Sequence, residues 1–142
     1  MTKIKRVLIA NRGEIALRIQ RACQKLGLEC VSIASDADKS SMFARNALEL
    51  KVIGGLTAQD SYLNIDKIIK AAKESKCDAV HPGYGFLSEN ADFAERVIKE
   101  GLVFVGPTPE AIKTLGSKTL AREAVTKKGV PTTPGSEGGL SD

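Results

Sequence analysis

The chain has 142 residues, 42% of them apolar and 27% charged, which fits one domain with a core and excludes a disordered chain. Its formal charge of +4 is spread over lysines that alternate with acids, aromatics are 4% and Trp is absent, a pattern of solvated helix faces that excludes a nucleic-acid-binding surface. Three cysteines (Cys23, Cys30 and Cys77) without CxxC spacing exclude a disulfide framework and a zinc site, and no apolar run reaches the ~20 residues of a membrane helix.

Met1 to Lys5 carries no signal-peptide apolar region, which predicts a cytoplasmic protein, or a mitochondrial-matrix one for a eukaryotic parent. Arg6 to Ala10 reads as a buried strand that ends at Asn11-Arg12-Gly13. A helix from about Glu14 follows. Ile15, Ile19, Ala22, Cys23 and Leu26 form its apolar stripe, with Glu14, Arg18, Arg21 and Lys25 opposite and Gly27 at its end. Cys30 to Ala34 predicts the second strand, closed by the polar loop Ser35 to Asp38, and a short helix is expected from Met42 to Asn46. Leu50 to Ile53 predicts a third strand, stopped by Gly54-Gly55.

Asn64 is placed to cap a helix whose core face is Ile65, Ile68, Ile69 and Ala72, with Asp66 and Lys70 as a pair four residues apart. Ala79-Val80 predicts a brief strand running into His81-Pro82-Gly83-Tyr84-Gly85. Ser88 is the expected cap of the next helix, which buries Phe93, Ala94, Val97 and Ile98 and closes at Gly101. Val103 to Val105 is the fifth strand, and Thr108 then caps a short helix that has Pro109 in its first position. A last helix is expected over Lys118 to Lys128, before Gly129-Val130-Pro131. The alternation predicts an α/β fold, an open parallel sheet of about five strands with helices on both faces. Residues 1–133 then form the domain, and the Gly- and Ser-rich 134–142 a linker towards a further domain.

Ligands gather at the carboxyl ends of such strands, which here are Asn11 to Glu14, Asp36 to Asp38, His81 to Phe86 and Gly106 to Thr108. Asp36 has the spacing of a dinucleotide-site acid, but the first loop holds only Gly13 where that fingerprint needs three glycines, so Asp36 is read as a turn residue. Gly83 and Gly85 flank Tyr84 and allow either a plain turn or a close backbone approach to a ligand, with the Tyr84 hydroxyl free. His81, the single histidine, reads as a hydrogen-bonded structural residue without metal partners. Ser117 is a good cap, and Lys118 after it sits at the helix end that favours anions: a surface lysine, or one that meets a phosphate.

Val7-Leu8-Ile9-Ala10-Asn11-Arg12-Gly13-Glu14-Ile15-Ala16 and, more specifically, His81-Pro82-Gly83-Tyr84-Gly85-Phe86-Leu87-Ser88-Glu89-Asn90 resemble the N-terminal domain of biotin carboxylases. Gly106-Pro107-Thr108-Pro109 and Gly129-Val130-Pro131 continue the likeness in order, over nearly the whole chain. The resemblance implies a Rossmann-like pre-ATP-grasp domain of an enzyme that uses ATP and bicarbonate to carboxylate biotin on a carrier protein. It implies that Lys118 contacts the ATP phosphates, that Tyr84 and Gly85 face biotin, and that Arg12, Gly13, Glu14, His81 and Gly83 shape the site. It assigns no catalytic residue and no metal ligand to this chain; the ligands of Mg2+ are expected in a later domain, so the chain alone is expected to be inactive. The implied partners are the biotin carboxyl carrier and a carboxyltransferase component, with a homodimer allowed, and with no nucleic acid and no membrane. Two residues depart from the family pattern. Ser117 stands where an Asp is usual, and Lys25 where bacterial relatives often have an acid on the dimer-forming helix face, which puts an ion pair from Arg21 across a dimer in doubt. The competing readings are the leading domain of another ATP-grasp ligase and a stand-alone dimerisation or scaffold module.

Overall fold

The computed structural model describes residues 3–133, so the expected linker at 134–142 lies outside the described residues. The elements in chain order are β1 (Arg6–Ile9), α1 (Gly13–Lys25), β2 (Glu29–Ala34), α2 (Met42–Arg45), β3 (Glu49–Val52), α3 (Ile65–Glu74), β4 (Ala79–His81), α4 (Ala91–Lys99), β5 (Val103–Phe104), α5 (Pro109–Gly116) and α6 (Lys118–Thr126). The five strands form one sheet in the order β3-β2-β1-β4-β5, and every pairing is parallel. β1 is the central strand: Leu8 stands opposite Val31 on one side and Val80 on the other, and Ile9 opposite Ser32 and His81. The chain winds outwards from β1 to β3, then crosses back to lay β4 against the free side of β1. Strand order therefore reverses between β1 and β4, and a crevice opens outside their carboxyl ends.

Alternate residues of each strand point to opposite faces, and each face has its own core. Val7, Ile9, Cys30, Ala34 and Ala79 pack with Ile19 and Cys23 of α1 and Phe43 of α2. Leu8, Val31, Ile33 and Val80 pack with Ile68 and Ala72 of α3 and with Phe93 and Val97 of α4. Helices thus cover both faces, as expected. The three cysteines are free and buried, and burial pushes the thiols of Cys23 and Cys77 up to about 11, far from the thiolate that reactive chemistry needs.

Several local expectations are corrected. Leu26 is 72% exposed instead of completing the α1 stripe. The helix has ended by then: Gly27 N–H donates to the Gln24 carbonyl and Leu28 N–H to the Cys23 carbonyl, and this reversal turns Leu28 inwards in place of Leu26. Ile98 is 51% exposed, because it lies about 100° round the helix from Val97, which takes the core position. The α1 face also buries Gln20, whose amide donates to Ser32 Oγ (2.8 Å) and to the Phe43 carbonyl (2.9 Å), tying α1 to β2 and α2. The cap of α4 is Asn90, which accepts from Phe93 N–H (2.7 Å), and Ser88 lies in the preceding turn. Asp66 pairs with Arg96 of the neighbouring α4 (3.2 Å) and Lys70 with Glu74 (3.8 Å), so the expected Asp66–Lys70 pair is replaced. Asn64 and Thr108 cap α3 and α5 as expected. Ser117 alone joins α5 to α6, and α6 stops at Thr126, two residues short of the expected end.

Candidate functional site

At the reversal of strand order, Asn11 joins the end of β1 to the turn after β4. This side chain leaves the end of β1, is buried, and donates to the carbonyls of Pro82 (2.7 Å) and Tyr84 (2.8 Å) in the turn after β4. Its Oδ1 accepts from Arg12 N–H (2.8 Å). Gly83 is fitted against Asn11: its φ is +68°, and a Cβ there would stand 2.7 Å from Asn11 Nδ2. Gly83 N–H donates to Nδ1 of half-buried His81 (3.0 Å), which leaves the histidine neutral with its proton on Nε2. Burial also holds the His81 pKa below its usual value. His81 is thus hydrogen-bonded within the turn, as its sequence context indicated.

The turn carries Tyr84 outwards, 60% exposed. Its hydroxyl is not free, contrary to expectation: it donates to Glu14 Oε1 (2.6 Å) in the first turn of α1. That bond raises the Tyr84 pKa, because ionisation would face the carboxylate. Gly85 follows at φ +65° with open space where a side chain would stand, and Phe86 also adopts a positive φ of 43°. The strained Phe86 is held by its ring, which stacks on Tyr62 with centroids 5.3 Å apart.

Tyr62 belongs to a polar cluster at the ends of β1 and β2. Asp38 is its centre. Arg12 donates to Asp38 through Nε and Nη2, both at 2.6 Å, the Tyr62 hydroxyl donates at 2.7 Å, and Ser35 Oγ at 3.3 Å. The guanidinium, ahead of the Tyr62 hydroxyl, pulls the Asp38 pKa down to about 2. Burial is the main cause that raises the Tyr62 pKa. Arg12 also lies 6.0 Å from the centre of the Tyr62 ring. Gly13 opens α1 at φ +66°.

The structure therefore brings Arg12, Gly13, Glu14, His81, Gly83, Tyr84 and Gly85 to one rim of the sheet. It does not bring Lys118 into contact with them. Lys118 is exposed at the start of α6, which packs chiefly on α5 and has no buried residue. Among the described residues Lys118 forms no ion pair. The role of Asn11, Asp38 and Tyr62 was not read from sequence. Asp38 lay in a flagged loop, but Tyr62 precedes α3 and reaches the rim only through the fold. No group of three or more His, Cys, Asp or Glu among the described residues is placed to hold a metal ion. No helix of the described residues is long and apolar enough to cross a membrane. The rim presents a rigid turn and an aromatic ring to solvent; its one carboxylate–guanidinium pair is mutually neutralised.

The family described as "Biotin carboxylase, N-terminal domain" matches residues 3–112, which include the whole rim. The chain is 52% identical to "Biotin carboxylase 2" of Bacillus subtilis over 96% of its own length and 31% of that protein's. It is 55% identical to the urea amidolyase of Lachancea kluyveri, over 92% of this chain and 7% of that one. Among solved structures, the biotin carboxylase domain of a thermophilic 2-oxoglutarate carboxylase bound to bicarbonate superposes with a TM-score of 0.91 at 42% identity, covering 99% of this chain and 32% of that one. The chain thus spans about a third of the length of the biotin carboxylases it matches. With the family match covering most of its length and the crevice motifs inside it, the chain belongs to the biotin carboxylase N-terminal domain family.

Proposed function

We propose that this chain is the leading domain of an ATP-dependent biotin carboxylase and supplies one wall of its active site. Bicarbonate would be activated by ATP and the carboxyl group passed to biotin on a carrier protein, for delivery to a carboxyltransferase component in the cytoplasm or mitochondrial matrix. The observation that carries this reading is the outward Tyr84 turn, fixed by Asn11 and Glu14 at the switch of strand order. A ring presented on a rigid turn, with the open backbone of Gly85 beside it, suits a flat, weakly polar ligand such as the biotin ring system. Lys118 suits the ATP phosphates: it is exposed, and Ser117 caps its helix by accepting from Leu120 N–H, so the remaining helix dipole favours an anion. ATP, when bound, supplies the phosphoryl group that activates bicarbonate. This chain's residues bind and orient. The Mg2+ that phosphoryl transfer needs is assigned to other parts of the full-length protein, and on this reading residues 1–133 are the domain and 134–142 the link to them. Arg21 on α1, the helix that also carries Lys25, borders a groove of about 340 Å³ with Leu17, Gln24 and Leu48, where a second copy would meet this one.

Steady-state kinetics of the full-length protein test the assignment. Lys118→Ala is expected to raise KM for ATP about tenfold and lower turnover, the loss of one charge-assisted contact. Tyr84→Ala is expected to lower kcat/KM for free biotin while KM for ATP stays within experimental error. Unchanged ATP kinetics in the first variant remove Lys118 from the phosphate site. Equal loss for both substrates in the second removes Tyr84 from the biotin wall.

A further inference from the structure

The interactions around Asp38 close a ring. Asp38 accepts from the Tyr62 hydroxyl; the Tyr62 ring stacks on Phe86; Phe86 lies two residues from Tyr84; the Tyr84 hydroxyl donates to Glu14; and Glu14 lies two residues from Arg12, which returns to Asp38. Every non-covalent link is short or stacked: 2.7 Å, 5.3 Å between ring centres, 2.6 Å and 2.6 Å. Asn11 braces the ring from inside through the Pro82 and Tyr84 carbonyls. We infer that Asp38 is a positioning residue for the Tyr84 turn: it contacts no ligand and fixes the turn from two directions, through Tyr62 and Phe86 on one side and through Arg12 and the start of α1 on the other.

Three observations carry this inference. First, Asp38 is the single acceptor on which separate segments converge: Ser35 after β2, Arg12 after β1 and Tyr62 before α3. Such a network loses more than one bond when its centre is removed, because each donor is then left partly unmet. Second, the turn holds a non-glycine residue, Phe86, at positive φ, a conformation that persists only where its surroundings impose it. The imposing contact is the Tyr62 ring, whose hydroxyl is tied to Asp38 and also accepts from Ser35 N–H (3.0 Å). Third, the groups facing Asp38 are one cation and two hydroxyls, with no acid among its partners, so its charge is matched without any ligand. Displacements of a supporting group by a fraction of an ångström are enough to degrade a reaction that depends on orientation.

The inference rests on the reading that the Tyr84 turn faces biotin, and the experiment separates the two. In the full-length protein, Asp38→Asn keeps the shape of the residue and removes its charge. Hydrogen exchange of peptides covering residues 82–90 is expected to accelerate, while peptides from α3 and α6 keep their wild-type rates. Alongside, kcat/KM for free biotin is expected to fall about tenfold or more with KM for ATP within twofold, and Asp38→Glu to restore part of the loss. Tyr62→Phe, which removes only the hydroxyl and keeps the stack, is expected to accelerate exchange over the same peptides to a smaller extent. It decides the matter if Asp38→Asn fails to fold. Wild-type exchange over 82–90 in the folded variants overturns the positioning role, as does acceleration throughout the domain with both substrates affected alike. If the wild-type protein carboxylates no biotin, the functional reading fails, and the exchange rates still decide whether Asp38 governs the turn.

Discussion

At the scale of single residues, Gly83 and Gly85 look equivalent in sequence and differ in the structure. Both have positive φ, but a Cβ on Gly83 meets Asn11, whose amide is committed to two carbonyls and cannot retreat, whereas a Cβ on Gly85 meets nothing. Gly85→Ala should therefore cost the backbone term of about 1–2 kcal/mol, and Gly83→Ala that amount plus the steric conflict, about 3 kcal/mol or more. Urea denaturation of the two variants checks the order; equal losses would mean that Asn11 yields. Sequence pointed to Tyr84, its glycines, Arg12 and Glu14 because strand ends and turn chemistry are local properties. It did not point to the partners. Arg12 meets Asp38 and Glu14 meets Tyr84 across 26 and 70 residues of chain, and no spacing rule spans such distances. The Tyr84 hydroxyl was expected to be free for the same reason.

At the scale of elements, periodicity together with caps and turn residues located each helix and strand among the described residues, and errors gathered at the ends. Leu26 and Ile98 fit a helical stripe on paper, yet a closing turn and an edge position take them to solvent. Asp66 prefers a guanidinium from α4 to the lysine one turn along its own helix, a choice made by helix neighbours that local sequence does not reveal. Ser88 and Asn90 are both good capping types, and only the path of the turn after Phe86 selects between them. Asn90→Ala should lower stability by about 1 kcal/mol, whereas Ser88→Ala should stay within about 0.5 kcal/mol. Thermal melts of the two variants distinguish them. A larger loss at Ser88 would contradict the cap seen here.

At the scale of the molecule, alternation of strand and helix was enough to predict a parallel sheet with two covered faces. It left open which side of β1 receives β4, because either side completes a parallel sheet; the observed order is what places the Tyr84 turn beside Asn11. The same assembly makes stability depend on pH in two windows. Folding holds the His81 pKa below its usual 6.5 by burial, so the unfolded chain takes up this proton first. That contribution is full above pH 6.5 and is lost as pH falls below it. Asp38 is lowered from 3.8 to about 2, so its contribution is present above pH 3.8 and is lost as pH falls towards 2. The second window is worth about 2 kcal/mol at most, because Arg12 is partly exposed. Denaturation midpoints should fall between pH 7.5 and 5 in the wild type and less in His81→Asn, a window far above the shifted pKa of Asp38. A His81→Asn profile that parallels the wild type there would sink the assignment to burial of the imidazole.

The central place of β1 has one more outcome, for the order in which the protein is made. A ribosome delivers β1, β2 and β3 well before β4, and Arg12 can meet Asp38 while Tyr84 is still unsynthesised. Until β4 arrives, the central strand of the finished sheet offers an unpaired row of amides and carbonyls on one side. A pause in translation before His81 would leave that row open to strands of other nascent chains.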